Sequence, residues 1–432
     1  MAAIQNRNGF QLEKTDITLG FIPLTDCAPL VIAQEKGYFT SEGLNVTLSR
    51  EVSWAGIRDK VGLGILDGAQ MLASIPVASR LGVGGPKIDL VSAMVLDLNG
   101  NAITLNNHLY NHLYEIDSRS EFSPLIAAQA LQCFIEENKR SKRPKLRFGI
   151  VYPCSTQSYE LRYWLASAGI DPDRDIEIVV VPPPKMVTAM TEGDIHGFCV
   201  GEPWNTLAVQ QQIGHVVATK YQLWNNSPEK VFAVSEAWSK EHPATHQALL
   251  RALIKACIWL DKKENRRITA KIISQAAYIA LPEETVALSL MGSSLKHYGL
   301  PPEKVEDFHV FHRYSANFPW LNHAEWFISQ MYRWGQLTTP VNIEETVAAV
   351  YKPGLFRIAA SALGLESPSI DRKTEGNLHE KMILTKSQHI GPNQFLDGQV
   401  ISVGGIIKYL EKQNLSKADI PALRLINIQK EV

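Results

Sequence analysis

Lys230, in Pro228-Glu229-Lys230-Val231, offers the clearest chemistry in the chain, because it stands at the entry to an apolar stretch, Val231–Val234. Pointing inward, it would supply the full positive charge that a monovalent anion needs; pointing outward, it is a surface charge. Several short polar turns could complete a site around it. Ser53-Trp54 offers an indole N–H that can wall a cleft and donate to an anion, or else a core tryptophan. Asp67-Gly68-Ala69-Gln70-Met71 provides an amide in Gln70 and an apolar wall in Met71. Asn99-Gly100-Asn101 is either a plain turn or one whose amides donate to an oxyanion. Ser155-Thr156-Gln157-Ser158 opens a helix and either caps it or donates to a ligand. In Gly201-Glu202-Pro203-Trp204 the glycine permits close approach of backbone to ligand, Pro203 stiffens the turn, and Trp204 suits a core. Pro23-Leu24-Thr25-Asp26-Cys27-Ala28-Pro29 ends a strand and starts a helix. Free N–H groups there suit an anion, unless Thr25 or Asp26 simply caps.

The elements that must position these residues alternate in type. Strand patterns are expected over Ile17–Ile22, Leu44–Leu48, Ala69–Leu72, Leu146–Val151, Ile176–Val181 and Gly197–Val200. Helical patterns fall between them, over Ala28–Glu35, Trp54–Leu66, Ser158–Ala168 and Lys185–Glu192. This rhythm means an α/β fold, in which ligands bind beyond the carboxyl ends of the strands. A less regular segment, roughly Asn106–Lys145, separates two such stretches and carries the basic run Lys139-Arg140-Ser141-Lys142-Arg143, expected on an exposed loop. Helices follow over Pro243–Lys262 and Pro282–Leu295, and the last part, from about Ser367, reads as an extended wrap.

Composition narrows the function. The 432 residues are 45% hydrophobic and 20% charged, with a formal net charge of -1, which argues against a broad nucleic-acid surface. The N-terminus shows no secretory signal pattern, and no apolar stretch is long enough to cross a bilayer. Cys27, Cys133, Cys154, Cys199 and Cys257 are scattered and never form CxxC, so neither a disulfide framework nor a zinc site is expected. The chain lacks a GxSxG elbow, an HExxH helix, a Walker loop and a GxGxxG turn after a strand. His108 and His112 share helical spacing but have no acidic or thiol partner for a metal. No enzyme, metal or cofactor is therefore expected.

In this order, GFIPLTDCAPLVIAQEKGYF, SWAGIRDKVGLGILDGAQML, LNGNAIT, LRYWLASAGIDPD, VVVPPPKMV and GFCVGEPW resemble the nitrate-binding proteins related to bacterial transport systems, and most of all the NasS-type nitrate/nitrite sensors. The resemblance is dense from Ile17 to about Trp259 and thins towards Phe395-Leu396-Asp397-Gly398. It implies a two-lobed type II periplasmic-binding-protein (venus-flytrap) clamp with an extended C-terminal wrap. Residues 16–105 and 231–432 would form lobe I, residues 106–230 lobe II, and the ligand would sit between them. The implied ligand-binding positions are Trp54, Met71, Asn99, Asn101, Gly201 and Lys230. Where transport relatives carry a histidine in the second lobe, this chain has Gln157, a donor without charge; Asn101 replaces a longer amide. The resemblance further implies a cytoplasmic protein that holds a NasT-type RNA-binding antiterminator until nitrate or nitrite binds, itself touching neither nucleic acid nor membrane. The alternative is the solute-binding component of a nitrate or bicarbonate ABC transporter. A third reading, an enzyme on the same clamp making a thiamine pyrimidine precursor, would need a cysteine-rich cluster or a histidine beside a cleft lysine.

Overall fold

The computed structural model describes residues 11–380, 382–385 and 388–427; residues 1–10, where a secretory signal was sought, lie outside them. Its main strands are β1 (Asp16–Phe21), β2 (Asn45–Arg50), β3 (Gly68–Leu72), β4 (Leu90–Asn99), β5 (Asn101–Asn106), β6 (Arg147–Ile150), β7 (Glu177–Val180), β8 (Gly197–Gly201), β9 (Gly214–Thr219) and β10 (Pro228–Ser235). Two sheets result, one per lobe. The first runs β4-β10-β3-β1-β2, with the two-residue strand His309–Val310 on the outer side of β4; the second runs β7-β6-β8-β5-β9. β1 pairs in parallel with β2 and β3, and β6 with β7 and β8, as βαβ units require. β10 and β5 enter antiparallel.

The chain crosses between the sheets at Gly100, which joins β4 to β5, and returns between β9 and β10. The crossing is sharp: Asn99 and Gly100 both hold positive φ, at 64° and 93°. Asparagine and glycine tolerate this region best, which explains their use here. β4 is buried along all ten residues, as a central strand covered on both faces must be. The helix Pro243–Leu260 packs on the first sheet through Leu249, Leu253 and Ile254, within a cluster that includes Leu19, Phe21 and Met94. A separate cluster, including Ile103, Leu131, Phe148 and Trp164, fills the second lobe.

The helices that carry candidate residues begin where capping chemistry allows. Ser53 accepts the Gly56 N–H at 3.1 Å and starts Trp54–Gly62; Ser155 accepts the Ser158 N–H at 2.9 Å and starts Thr156–Ser167. Three expectations are corrected. The segment 106–145 is not irregular but holds two helices, Asn107–Ile116 and Pro124–Arg140. Polar Asn107, His108, Asn111 and His112 mask the apolar stripe of Leu109, Tyr110 and Leu113 in the first. The basic run begins inside the second helix, where Lys139 pairs with Glu136 and Asp175. The helix expected over Pro282–Leu295 stops at Leu290, followed by Gly292 at φ 74°.

The C-terminal wrap starts on the first lobe and reaches the second. The Leu396 N–H donates to the Leu223 carbonyl at 2.8 Å, and Phe395 stacks on Trp224 with centroids 4.8 Å apart. The Tyr163 hydroxyl donates to Asp397. Across the cleft the lobes also touch directly: the Thr25 N–H donates to the Glu202 carbonyl at 2.8 Å, and the Ser74 hydroxyl to the Cys154 carbonyl at 2.5 Å. The structure is thus a closed clamp.

Candidate functional site

A break in strand register builds the centre of the site. β10 pairs with β4 as Pro228↔Leu98, Lys230↔Asp97 and Val231↔Val95, with shifts on both sides of Lys230. Neighbours in a regular strand point to opposite faces; a bulge re-aims one of them. Glu229 and Lys230 therefore meet in one cluster, with the Lys230 ammonium 2.7 Å from Glu229 Oε1 and 2.6 Å from Asp26 Oδ2. Asp26 comes from the turn after β1, on the single helical turn Thr25–Cys27. The Trp54 ring lies 5.5 Å from the ammonium, at the start of its helix. Lys230 is fully buried.

The second lobe supplies the opposite wall. Lys220 places its ammonium 2.7 Å from Glu160, 2.6 Å from Glu229 and 2.9 Å from the Pro228 carbonyl, which uses all three of its donors. Gln157 donates to Glu229 at 2.6 Å and to Asn101 Oδ1 at 3.0 Å, while Asn101 donates to Glu229 at 2.7 Å and Glu160 at 2.9 Å. Gly201 pairs with Asn101 across β5 and β8, and a Cβ there would lie 3.4 Å from both Asp26 Oδ2 and Asn101 Oδ1. Trp54, Asn101, Gln157, Gly201 and Lys230 are therefore brought together.

The remaining two candidates sit apart from the polar cluster. Met71 is buried in the apolar cluster that contains Trp54. Asn99 turns its amide to Asn226 at 3.1 Å and to the Asp307 carbonyl at 2.6 Å, so it braces the crossing rather than facing Lys230. Sequence reasoning passed over Glu229, Lys220, Glu160 and Asp97. For Asp97 a signal existed, a lone carboxylate in the apolar run Leu90–Leu98.

Two donors near the cluster have no partner among the described residues: the Trp54 indole N–H and the Thr25 hydroxyl, both buried. An oxyanion would satisfy such groups, since a buried unpaired donor costs about 1–3 kcal/mol. Among the described residues no group of three or more histidine, cysteine or carboxylate side chains is arranged to hold a metal. The His108 and His112 rings lie tilted against each other, 4.4 Å apart, with His112 Nδ1 2.9 Å from the His108 carbonyl and its ring edge-on to Phe134.

The model of the NMT1-like family matches residues 11–274. The chain belongs to the NMT1-like family. Over 374 residues it is 32% identical to the nitrate/nitrite binding protein NrtA of Nostoc sp., covering 85% of this chain and 82% of that protein. It is 38% identical over 385 residues to the nitrate import ATP-binding protein NrtC of Synechocystis sp., covering 89% of this chain and 55% of that one. It is also 37% identical over 356 residues to the bicarbonate transport ATP-binding protein CmpC of Synechococcus elongatus, covering 82% of this chain and 50% of the relative. The chain thus spans about half the length of these ATP-binding relatives. The crystal structure of the periplasmic nitrate-binding protein NrtA from Synechocystis superposes with a TM-score of 0.81 at 28% identity, over 93% of this chain and 99% of that one.

Charge in the cluster of this NMT1-like protein is unevenly held. Burial works to raise Glu229, but the Lys220 and Lys230 ammoniums outweigh it and hold the carboxyl at about 2. Burial pushes Asp26 up to about 6 and Asp97 up to about 7, against the pull of Lys230. Glu160 is raised by burial despite Lys220. Burial alone would lower both lysines; their carboxylate partners reverse this and keep them charged.

Proposed function

We propose that this chain is a clamp that binds nitrate or nitrite between its lobes, as the solute-binding part of an anion import system, and that it is not an enzyme. The observation that carries the reading is Lys230, a buried ammonium at the lobe interface, beside an indole N–H that has no partner among the described residues. The likeness to NrtA supports nitrate and nitrite as ligands. The likeness to CmpC makes bicarbonate the next anion to test. Trp54, Asn101, Gln157, Gly201 and Lys230 are the proposed contacts, with Met71 as apolar backing and Asn99 as the brace of the crossing. Isothermal titration of the full chain with nitrate, nitrite, bicarbonate and sulfate tests this. Binding of nitrate or nitrite supports the reading, whereas silence towards all four anions sinks it.

A second reading rests on the fragments that resemble NasS-type sensors. There the same cleft works in the cytoplasm, and ligand binding releases a NasT-type antiterminator. A ligand can do this only if the partner prefers one clamp state, since an effector shifts an equilibrium by its differential affinity alone. Co-purification with and without nitrate separates the readings. Ligand-dependent release favours the sensor, and no capture in either condition leaves the import component.

A further inference from the structure

Both carboxylates on the Lys230 ammonium stand where an incoming anion needs its charge, and they are held unequally. Glu229 accepts from five donors: Lys220, Lys230, Asn101, Thr156 and Gln157, all within 2.8 Å. Among the described residues Asp26 has two partners, the Lys230 ammonium paired with Oδ2 at 2.6 Å and the Gln70 amide donating to Oδ1 at 2.5 Å. Of the two, Asp26 is the carboxylate an anion can displace. Gln70 cannot turn its amide round, because its oxygen accepts the Ile22 N–H at 3.0 Å. Any proton added to Asp26 therefore goes to Oδ2, the oxygen that faces Lys230.

Other charges press on the same point from every side. On β4, Asp97 accepts the Lys230 backbone N–H at 3.1 Å, and its other oxygen lies 3.4 Å from the ring of His309, itself buried and held neutral. Beyond β8, the buried Glu202 carboxylate accepts the Thr206 N–H at 3.1 Å. Deeper, Glu160 faces Lys220. Asp26, Asp97, Glu160 and Glu229 thus make four carboxyls against the two ammoniums of Lys220 and Lys230. One more bare anion would add to a cluster already short of positive charge, and burying an ion without compensation is strongly unfavourable.

We propose, resting on the anion-binding reading above, that the cleft takes up its anion together with one proton: the anion displaces Asp26 from the Lys230 ammonium, and Asp26 Oδ2 gains a proton from solvent as that contact breaks. The buried charge is then unchanged, and the new Asp26 O–H becomes a donor to the anion instead of a rival acceptor. Burial places Asp26 at about 6, so this proton is accessible near neutrality, while Glu229 at about 2 stays ionised. Asp97 and Glu202, both near 7, titrate in the same range, but neither touches the ammonium, so their protonation frees no donor.

The test is isothermal titration of the full chain with nitrate and nitrite, which do not titrate in this range, at pH 6, 7 and 8 in buffers of differing ionisation enthalpy. Affinity falls about tenfold per pH unit above pH 7, and the buffer dependence of the enthalpy at pH 8 reports one proton taken up. Asp26→Asn, whose amide mimics the protonated acid, tightens binding at pH 8 about a hundredfold, the protonated fraction it replaces being about one in a hundred two units above 6, and abolishes the slope. Glu202→Gln keeps the slope. Should Asp26→Asn fail to fold, the buffer dependence of the unaltered chain decides. Binding independent of pH and buffer overturns the proton coupling and leaves the anion reading standing. A slope that survives in Asp26→Asn overturns Asp26 as the acceptor, and no binding at any pH overturns both readings.

Discussion

The Lys230 side chain does two jobs that a single substitution removes together and two measurements tell apart. It is the proposed charge for the anion, and it is the counter-charge for Asp26 and Glu229. Lys230→Ala weakens anion binding at least tenfold, about 1.4 kcal/mol, measured by calorimetry. The same change leaves Asp26 with Gln70 alone, and breaking a buried pair from one side costs about 3–5 kcal/mol. That loss is larger at pH 8 than at pH 5, because Asp26 relieves it by protonating; equal loss at both pH values counts against this account. Gly201 tests the cleft without removing a charge. Its φ is not positive, and an added methyl meets only ordinary contacts, 3.4 Å from Asp26, Asn101 and Leu24. Gly201→Ala keeps the melting temperature within a few degrees but fills the space between Asp26 and Asn101, so anion affinity drops at least tenfold. Unchanged affinity removes Gly201 from the site.

At the scale of elements, the sequence made legible what periodicity and capping encode. β1, the helix Ala28–Glu35 and the helix starts at Ser53 and Ser155 follow from alternation, from Gly37 and from side chains that accept the first free N–H. The missed elements have physical reasons. β4 is buried on both faces and so shows no alternation, and the helix Asn107–Ile116 hides its stripe under polar neighbours. The candidate site was half legible. A lysine beside an apolar strand and an indole at a turn announce themselves, but a bulge that turns Glu229 inward with Lys230 leaves no local mark. Nor do the second-lobe carboxylate and ammonium, Glu160 and Lys220, which only tertiary contact unites. One element was legible only as a wrap, yet it bridges the lobes through Asp397 and Phe395. Asp397→Ala with Phe395→Ala removes the Tyr163 hydrogen bond and the stack on Trp224. The radius of gyration without ligand then rises in solution scattering and returns with saturating anion; an unchanged radius means that the direct lobe contacts at Thr25 and Ser74 hold the clamp alone.

For the whole molecule, acid stability sets two populations of buried groups against each other. His215, His246 and His323 are pushed by burial to about 4 and His309 to about 3, with His196 and His297 shifted the same way. Between pH 6.5 and 4 the unfolded chain binds protons on these rings that the folded chain refuses, so they lose stability as pH falls. Asp26 at about 6, with Asp97 and Glu202 at about 7, acts in the opposite sense, and Glu160 and Glu325 are raised as well. In the same window the folded chain holds their protons while the unfolded chain has released them, so they gain stability as pH falls. Six imidazoles against five carboxyls nearly cancel. The melting temperature therefore stays on a plateau between about pH 5 and 7. Below about 4.5 the balance ends, because Glu229 and Glu375, held at about 2 against burial by neighbouring lysines, stay ionised while the unfolded chain gains their protons, and stability drops steeply. Calorimetric scans from pH 3.5 to 8 check this. Neutralising two opposing acids together, in Asp26→Asn with Glu202→Gln, unmasks the histidines and turns the plateau into a slope that falls from pH 6.5. A plateau that persists in that variant shows that the buried rings do not carry the opposing half of the balance.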